Sequence, residues 1–142
     1  MEESVFEIPG KLSVSWIGEV KAIVDTWTSY YISLAEFKNA VLEKGVSFGK
    51  IRGVKAWIVD SSQAKGAFSQ EIQDFIGSTV FPKFAEIGVK YFITITSQIS
   101  AVTKMTVASY SAKTGPNGLQ LVEVASVEHA IEWLATNNEQ QQ

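Results

Sequence analysis

Hydrophobic and polar residues alternate along residues 11–18 (KLSVSWIG), with Leu12, Val14 and Trp16 on one side and Ser13 and Ser15 on the other. That period of two predicts a half-buried strand. Gly18 and Glu19 mark a tight turn, and residues 22–29 (AIVDTWTS) are again rich in β-branched and aromatic side chains, so the two runs predict an antiparallel hairpin. Ser33-Leu34-Ala35-Glu36 is then a capping box, in which the Ser oxygen and the Glu carboxylate satisfy free amides at a helix start. Leu34, Phe37 and Val41, flanked by Ala40 and Leu42, supply the helical face. Gly45 is expected to end the helix, leaving VSFGKIRG as an irregular connection or a short extra turn.

Residues 54–60 (VKAWIVD) predict a buried strand ending in Asp60, followed by the polar loop SSQAKGAFS. Ser69 caps the next helix, where Ile72, Ile76, Val80 and Phe84 recur every four residues and Phe75 and Ile87 widen the stripe. Pro82 lacks a backbone donor, which predicts a kink or break near Phe81 before Gly88 closes the helix. A strand is expected over 90–96 (KYFITIT). After it comes a helix capped by Ser97 or Ser100, carrying Ile99, Val102, Met105 and Tyr110 and running to Lys113. Gly115-Pro116-Asn117-Gly118 forms a turn, 119–125 (LQLVEVA) a strand, and Ser126 caps a last helix with Val127, Ala130, Ile131 and Leu134 on one face. The order β-β-α-β-α-β-α-β-α predicts an α/β fold, a mixed, mostly parallel sheet of about five strands with four helices. Residues 1–10 are expected as an N-terminal extension, 11–137 as one domain and 138–142 as a frayed polar tail. In such sheets ligands and partners meet the loops at the carboxyl ends of parallel strands, here after Asp60 and Thr96.

At 142 residues the chain suits one domain. It has no Cys and one His, which removes disulfides, thiolate metal sites, a Cys nucleophile and a two-His metal site. Neither a cofactor nor a metal is expected. Twelve basic against fifteen acidic residues, a net charge of −3, do not supply the positive field that nucleic acid binding requires. The start MEESVFEIPG lacks the basic and apolar segments of a secretory signal, and no apolar run approaches a membrane span, so a cytoplasmic protein is expected. No nucleotide-binding, zinc-protease or nucleophile-elbow motif occurs. Gly45, Gly49 and Gly53 are spaced by four, but lie among Lys50 and Arg52 without the strand-loop-helix context of a phosphate cradle. With Lys44 and Lys55 these two bases read as a solvated basic connector.

The strand ending in Asp60, its polar loop to a Ser-capped helix, the stretch F-P-K-F-A-E-I-G-V-K from Phe81 to Lys90 and the closing S-V-E-H-A-I-E-W-L from Ser126 to Leu134 resemble the STAS-related domains of bacteria. These include the sporulation anti-sigma-factor antagonists and, with similar topology, lipid-transfer-like SEC14-type relatives. The resemblance covers residues 11 to 137. It implies a small regulatory or scaffold domain that docks a protein partner, in some members under control of a phosphorylated Ser at the start of the second helix. Ser69, nine residues after Asp60, occupies the matching place. The family's regulatory version reads D-S-S-G there, whereas this chain has F-S-Q-E, and its own D-S-S lies earlier, at Asp60 to Ser62.

The residues singled out for partner binding or phosphorylation are therefore Ser69, Asp60, Ser61, Ser62, Gln63 and Gln73. Ser69 is first a helix cap and second a phosphorylation site, since a phosphate is tolerated at a helix N-terminus. Ser61 and Ser62 are expected to be more exposed, engaged in turn hydrogen bonds. Asp60, with no His, Cys or second carboxylate near it in sequence, is expected to accept amides of its own loop. Asp25 is expected on the solvent face of its strand or tied to Lys11 or Lys21. His129, three residues before Glu132, is expected in solvent, and Trp16, Trp27, Trp57 and Trp133 in or beside the core. The leading expectation is a non-enzymatic module binding a protein through the loop 61–69 and the second helix. The alternative is a site for a small apolar or lipid-like ligand between the sheet and the second and third helices, suggested by the aromatic load and the Pro82 interruption. A homodimer through the exposed edge of the N-terminal hairpin is also expected.

Overall fold

The computed structural model describes residues 2–95 and 119–140. Its strands are β1 (Glu2–Ile8), β2 (Leu12–Ile17), β3 (Ala22–Trp27), β4 (Ala56–Asp60), β5 (Tyr91–Ile95) and β6 (Gln120–Val124), lying in the sheet in chain order. β1 to β3 form an antiparallel meander, and β3 to β6 pair in parallel. The α/β class and the mixed sheet are as expected, but there are six strands where about five were expected. The segment taken as an extension is the extra one: Phe6 and Ile8 face Val14 and Leu12 across the β1–β2 pair. β1 therefore covers the hairpin edge offered above for dimerisation, and itself becomes the sheet edge.

Three helices lie among the described residues: α1 (residues 34–52), α2 (residues 70–86) and α3 (Val127–Gln140). The expected helix from Ser97 or Ser100 to Lys113 and the turn at Gly115 to Gly118 lie outside them. α1 begins at the predicted Ser33 capping box. It does not stop at Gly45 but runs on to Arg52, where Gly53, at φ 75°, ends it. The expected irregular connection is thus helical. Gly45 is small because the Trp57 ring lies against it: a Cβ there would be 3.1 Å from Trp57 Cζ2. Lys44, Lys50 and Arg52 consequently project from a helix, and Arg52 pairs with Glu3 of β1 at 3.1 Å. α3 runs to Gln140, past the expected boundary at 137.

Consecutive parallel strands joined by crossovers of one hand place the connecting helices on one face. α1 and α2 accordingly share a face, where they bury Leu12, Val14 and Trp16 of β2, Ile23 and Trp27 of β3, Trp57 and Val59 of β4 and Phe92 of β5. The opposite face carries Val24, Ala56, Ile58, Tyr91, Ile93 and Val124, packed against Ala130 and Leu134 of α3. On that second face the β1–β2 end is hydrophilic, with the Ser15 hydroxyl donating to Glu2 at 2.7 Å, as an antiparallel sheet solvated on one side requires. Trp16, Trp27 and Trp57 are buried, and Trp133 is half-buried against Tyr91.

Candidate functional site

β3 alternates Ile23, Asp25 and Trp27 toward α1 and α2 with Val24 and Thr26 toward the other face. The side chain of Asp25 therefore enters the larger core. It is 4% exposed, and its register neighbours are Val14 on β2 and Val59 on β4. The expectation of a solvent-facing Asp25, or one tied to Lys11 or Lys21, is overturned: parity along the strand, set by Ile23 and Trp27, overrides the polarity of a single residue. The one side-chain partner of Asp25 among the described residues is Trp57, whose Nε1–H donates to Oδ2 at 2.8 Å. Burial pushes the Asp25 carboxyl up to about 7, against a smaller opposing effect of the Trp57 hydrogen bond.

Asp25 borders a cavity of about 30 Å³ whose other walls are apolar, chiefly Trp27, Phe37, Trp57, Phe68, Phe84 and Phe92. Trp57 stacks on Phe84 with ring centroids 4.0 Å apart, and Phe68 meets Trp27 and Phe37 edge-on at 5.1 and 5.3 Å. Both covering helices widen into π-helix where they cross this cavity. Residues Asn39–Val46 do so in α1, supplying Val41 to the wall, and Ile76–Val80 in α2, supplying Ile76 and Val80. In α2 the Phe81 N–H reaches back five residues to Ile76 O, directly ahead of Pro82, so the predicted interruption takes the form of a widened turn. π-Helical turns inside α-helices recur at functional sites, because they displace side chains from the regular register.

The loop after β4 contributes Phe68 to the cavity wall. Ser61, expected to be exposed, is fully buried, and its hydroxyl hydrogen-bonds the Tyr30 hydroxyl. Asp60 does accept within its loop: Oδ1 takes the Ser62 amide at 3.0 Å and the Ser62 hydroxyl at 2.6 Å. Gln63 is exposed. Ser69 caps α2 by accepting the Ile72 amide at 3.2 Å, and Gln73 is half-buried, with Nε2 donating to Phe68 O at 2.9 Å. The Tyr30 amide binds Lys65 O at 2.9 Å, which ties the loop to the end of β3. These bonds hold Phe68, a cavity-lining residue, against Tyr30, ring centroids 4.0 Å apart. Beside them Tyr31 is 67% exposed and rests on Gly66. Asp60 and Ser62 also border a second depression of about 270 Å³, shared with Ser126 and Glu128 at the start of α3.

The predicted residues thus lie together around one loop, and most are spent on holding it. Asp25 was missed, although the spacing Ile23-Asp25-Trp27 carried the signal. His129 is exposed as expected, its amide donating to the capping Ser126 hydroxyl. Among the described residues no helix is long and apolar enough to cross a membrane. No family model, curated protein or solved structure matches the chain.

Proposed function

We propose that the chain is a non-enzymatic binding module of STAS-like type, whose site is the aromatic cavity at Asp25 and whose ligand is small and apolar or amphipathic. The observation that carries this reading is a buried carboxyl group on the wall of an aromatic cavity, under two helices that both widen over it. Ligand sites are mostly apolar concavities with a few polar groups that orient the occupant, and a strongly shifted carboxyl in one marks it further. Asp25 is the sole ionisable residue among the described walls, which suits binding better than acid-base chemistry needing a second group. The order β-β-α-β is consistent with a STAS-like domain.

The test is a titration of the full chain with two-carbon and three-carbon alcohols and amines, followed by the Trp57 indole N–H resonance, together with native mass spectrometry of freshly purified protein. Saturable movement of that resonance is expected. Absence of movement with every compound, and of retained mass, disposes of the reading.

A second reading, docking of a protein partner through the loop 61–69 and the second helix, is favoured by the exposed Tyr31 seated on Gly66 of a tightly bonded loop. Tyrosine on a rigid support anchors many interfaces. Ser69, exposed at the start of α2, is the phosphorylation candidate of this reading. Pull-down of the same proteins by wild type, Tyr31→Ala and Ser69→Asp would remove it.

A further inference from the structure

We infer that the occupant of the Asp25 cavity is a small organic ammonium ion, its charge against the Asp25 carboxylate and its carbons against the surrounding rings. This rests on the cavity being a ligand site, as proposed above. The size follows from the volume: a cavity of about 30 Å³, where one water needs roughly 10–15 Å³, admits an occupant of about two or three heavy atoms.

The sign of the charge follows from the walls. Lining the cavity with Asp25 are Trp27 from its own strand, Trp57 and Val59 from β4, Phe92 from β5 and Phe68 from the loop. α1 adds Phe37 and Val41, and α2 adds Ile76, Val80, Phe81 and Phe84. None of these groups is charged or titratable. An anion would meet a carboxyl with no positive group to offset it, and an ionised Asp25 in the empty cavity has no counter-charge. A bound cation supplies that counter-charge.

The carboxylate decides between a cation and a neutral occupant of the same shape. Trp57 uses its edge N–H on Oδ2, and its face stacks on Phe84. Trp27, Phe37 and Phe68 add three more rings to the wall and hold the dielectric low. There an ammonium group gains a full charge pair with the carboxylate, strongest where water is excluded. A neutral alcohol gains a hydrogen bond alone. Asp25 also has an oxygen to spare, since its one partner among the described residues sits on Oδ2. An ammonium group donates to the free oxygen without displacing Trp57. No covalent step is involved: the ion enters charged and leaves charged, and when Asp25 starts protonated its proton passes to solvent on binding.

The experiment compares ethylammonium chloride with ethanol on the full chain, reading the Trp57 indole N–H resonance, with sodium chloride at equal ionic strength as the salt control. At about pH 8 an alkylamine is protonated and Asp25 is mostly ionised, and ethylammonium is expected to bind at least about tenfold more tightly than ethanol. At about pH 5 that preference is expected to fall about tenfold or more, because Asp25 then holds a proton. Asp25→Asn, which keeps an acceptor for Trp57 and removes the charge, is expected to abolish the preference for ethylammonium over ethanol. Ethanol binding as tightly as ethylammonium, in wild type alone, overturns the ammonium assignment and leaves the cavity reading standing. No saturable shift with either compound overturns both. The wild-type comparison decides the matter even if the Asn variant does not fold.

Discussion

Trp57 and Asp25 are joined side chain to side chain across a strand pair whose register places Trp57 beside Ile23, and Asp25 beside Val59. The bond is diagonal, so the indole crosses two residues of β3 while its ring fills the space between Gly45 and Phe84. One side chain both supports the helix-covered core and satisfies its buried carboxyl. Trp57→Phe keeps most of the packing and removes the donor. It is expected to destabilise the fold by about 2–3 kcal/mol in urea unfolding, because a buried polar group loses its partner. It should also move the Asp25 carboxyl further up, seen by carboxyl carbon NMR, since the Trp57 bond is the influence that lowers it. An unchanged titration would mean that the hydrogen bond is absent in solution.

The raised Asp25 value makes stability depend on pH with a definite sign. The folded chain holds this proton up to about 7, while the unfolded chain releases it near the ordinary value of 3.8. Between those values the native state binds more protons, so the Asp25 contribution is full below the unfolded value and is lost as pH rises through the folded one. The loss is on the order of a few kcal/mol. Unfolding free energies of wild type minus Asp25→Asn, measured between about pH 4 and 8, are expected to fall across that window and level off above it. A flat difference would contradict the burial.

The parts of the fold legible in the sequence were those whose signals are local. The Ser33 box, the Ser69 and Ser126 caps and the strands at 12–17, 22–27, 56–60, 91–95 and 120–124 depend on neighbours a few residues away. β1 was missed because Glu2, Glu3 and Glu7 are charged on a strand that needs apolar residues only where Phe6 and Ile8 meet β2. Gly45 looked like a helix stop because nothing local announces Trp57 of another element pressing on it. The candidate site is half legible: the composition of the loop 61–69 marks the segment that carries Phe68, whereas the polarity of Asp25 points to solvent and only the strand parity of Ile23 and Trp27 points it inward. Buried Ser61 shows the same limit, since its Tyr30 partner is thirty-one residues away.

Ser69 is a cap whose loss should be felt beyond the helix end. Its oxygen satisfies the Ile72 amide, and Ile72 is fully buried under the sheet-facing side of α2. Ser69→Ala is expected to cost about 1 kcal/mol, read as a lowered thermal midpoint, while Ser69→Asp keeps a capping oxygen and should lie within a few tenths of a kcal/mol of wild type. Equal losses in both variants would show that something other than capping is at stake.

Gly49 sits where α1 packs against Ile23 of the sheet and against Val54. A Cβ there would lie 2.9 Å from Val54 Cγ1 and 3.1 Å from Ile23 Cδ1. Alanine favours a helix over glycine by about 1 kcal/mol, so an exposed site would gain from the change. Here Val54 is fully buried, its amide bonds Gly49 O at 2.9 Å, and its branched side chain is stiff about χ1. The clash should win, and Gly49→Ala is expected to destabilise by about 1–2 kcal/mol net in urea unfolding. Because Ile23 precedes Asp25 on the cavity face of β3, the same variant should also shift the Trp57 indole resonance. A stability gain would mean that the helix and sheet are further apart than their contacts indicate.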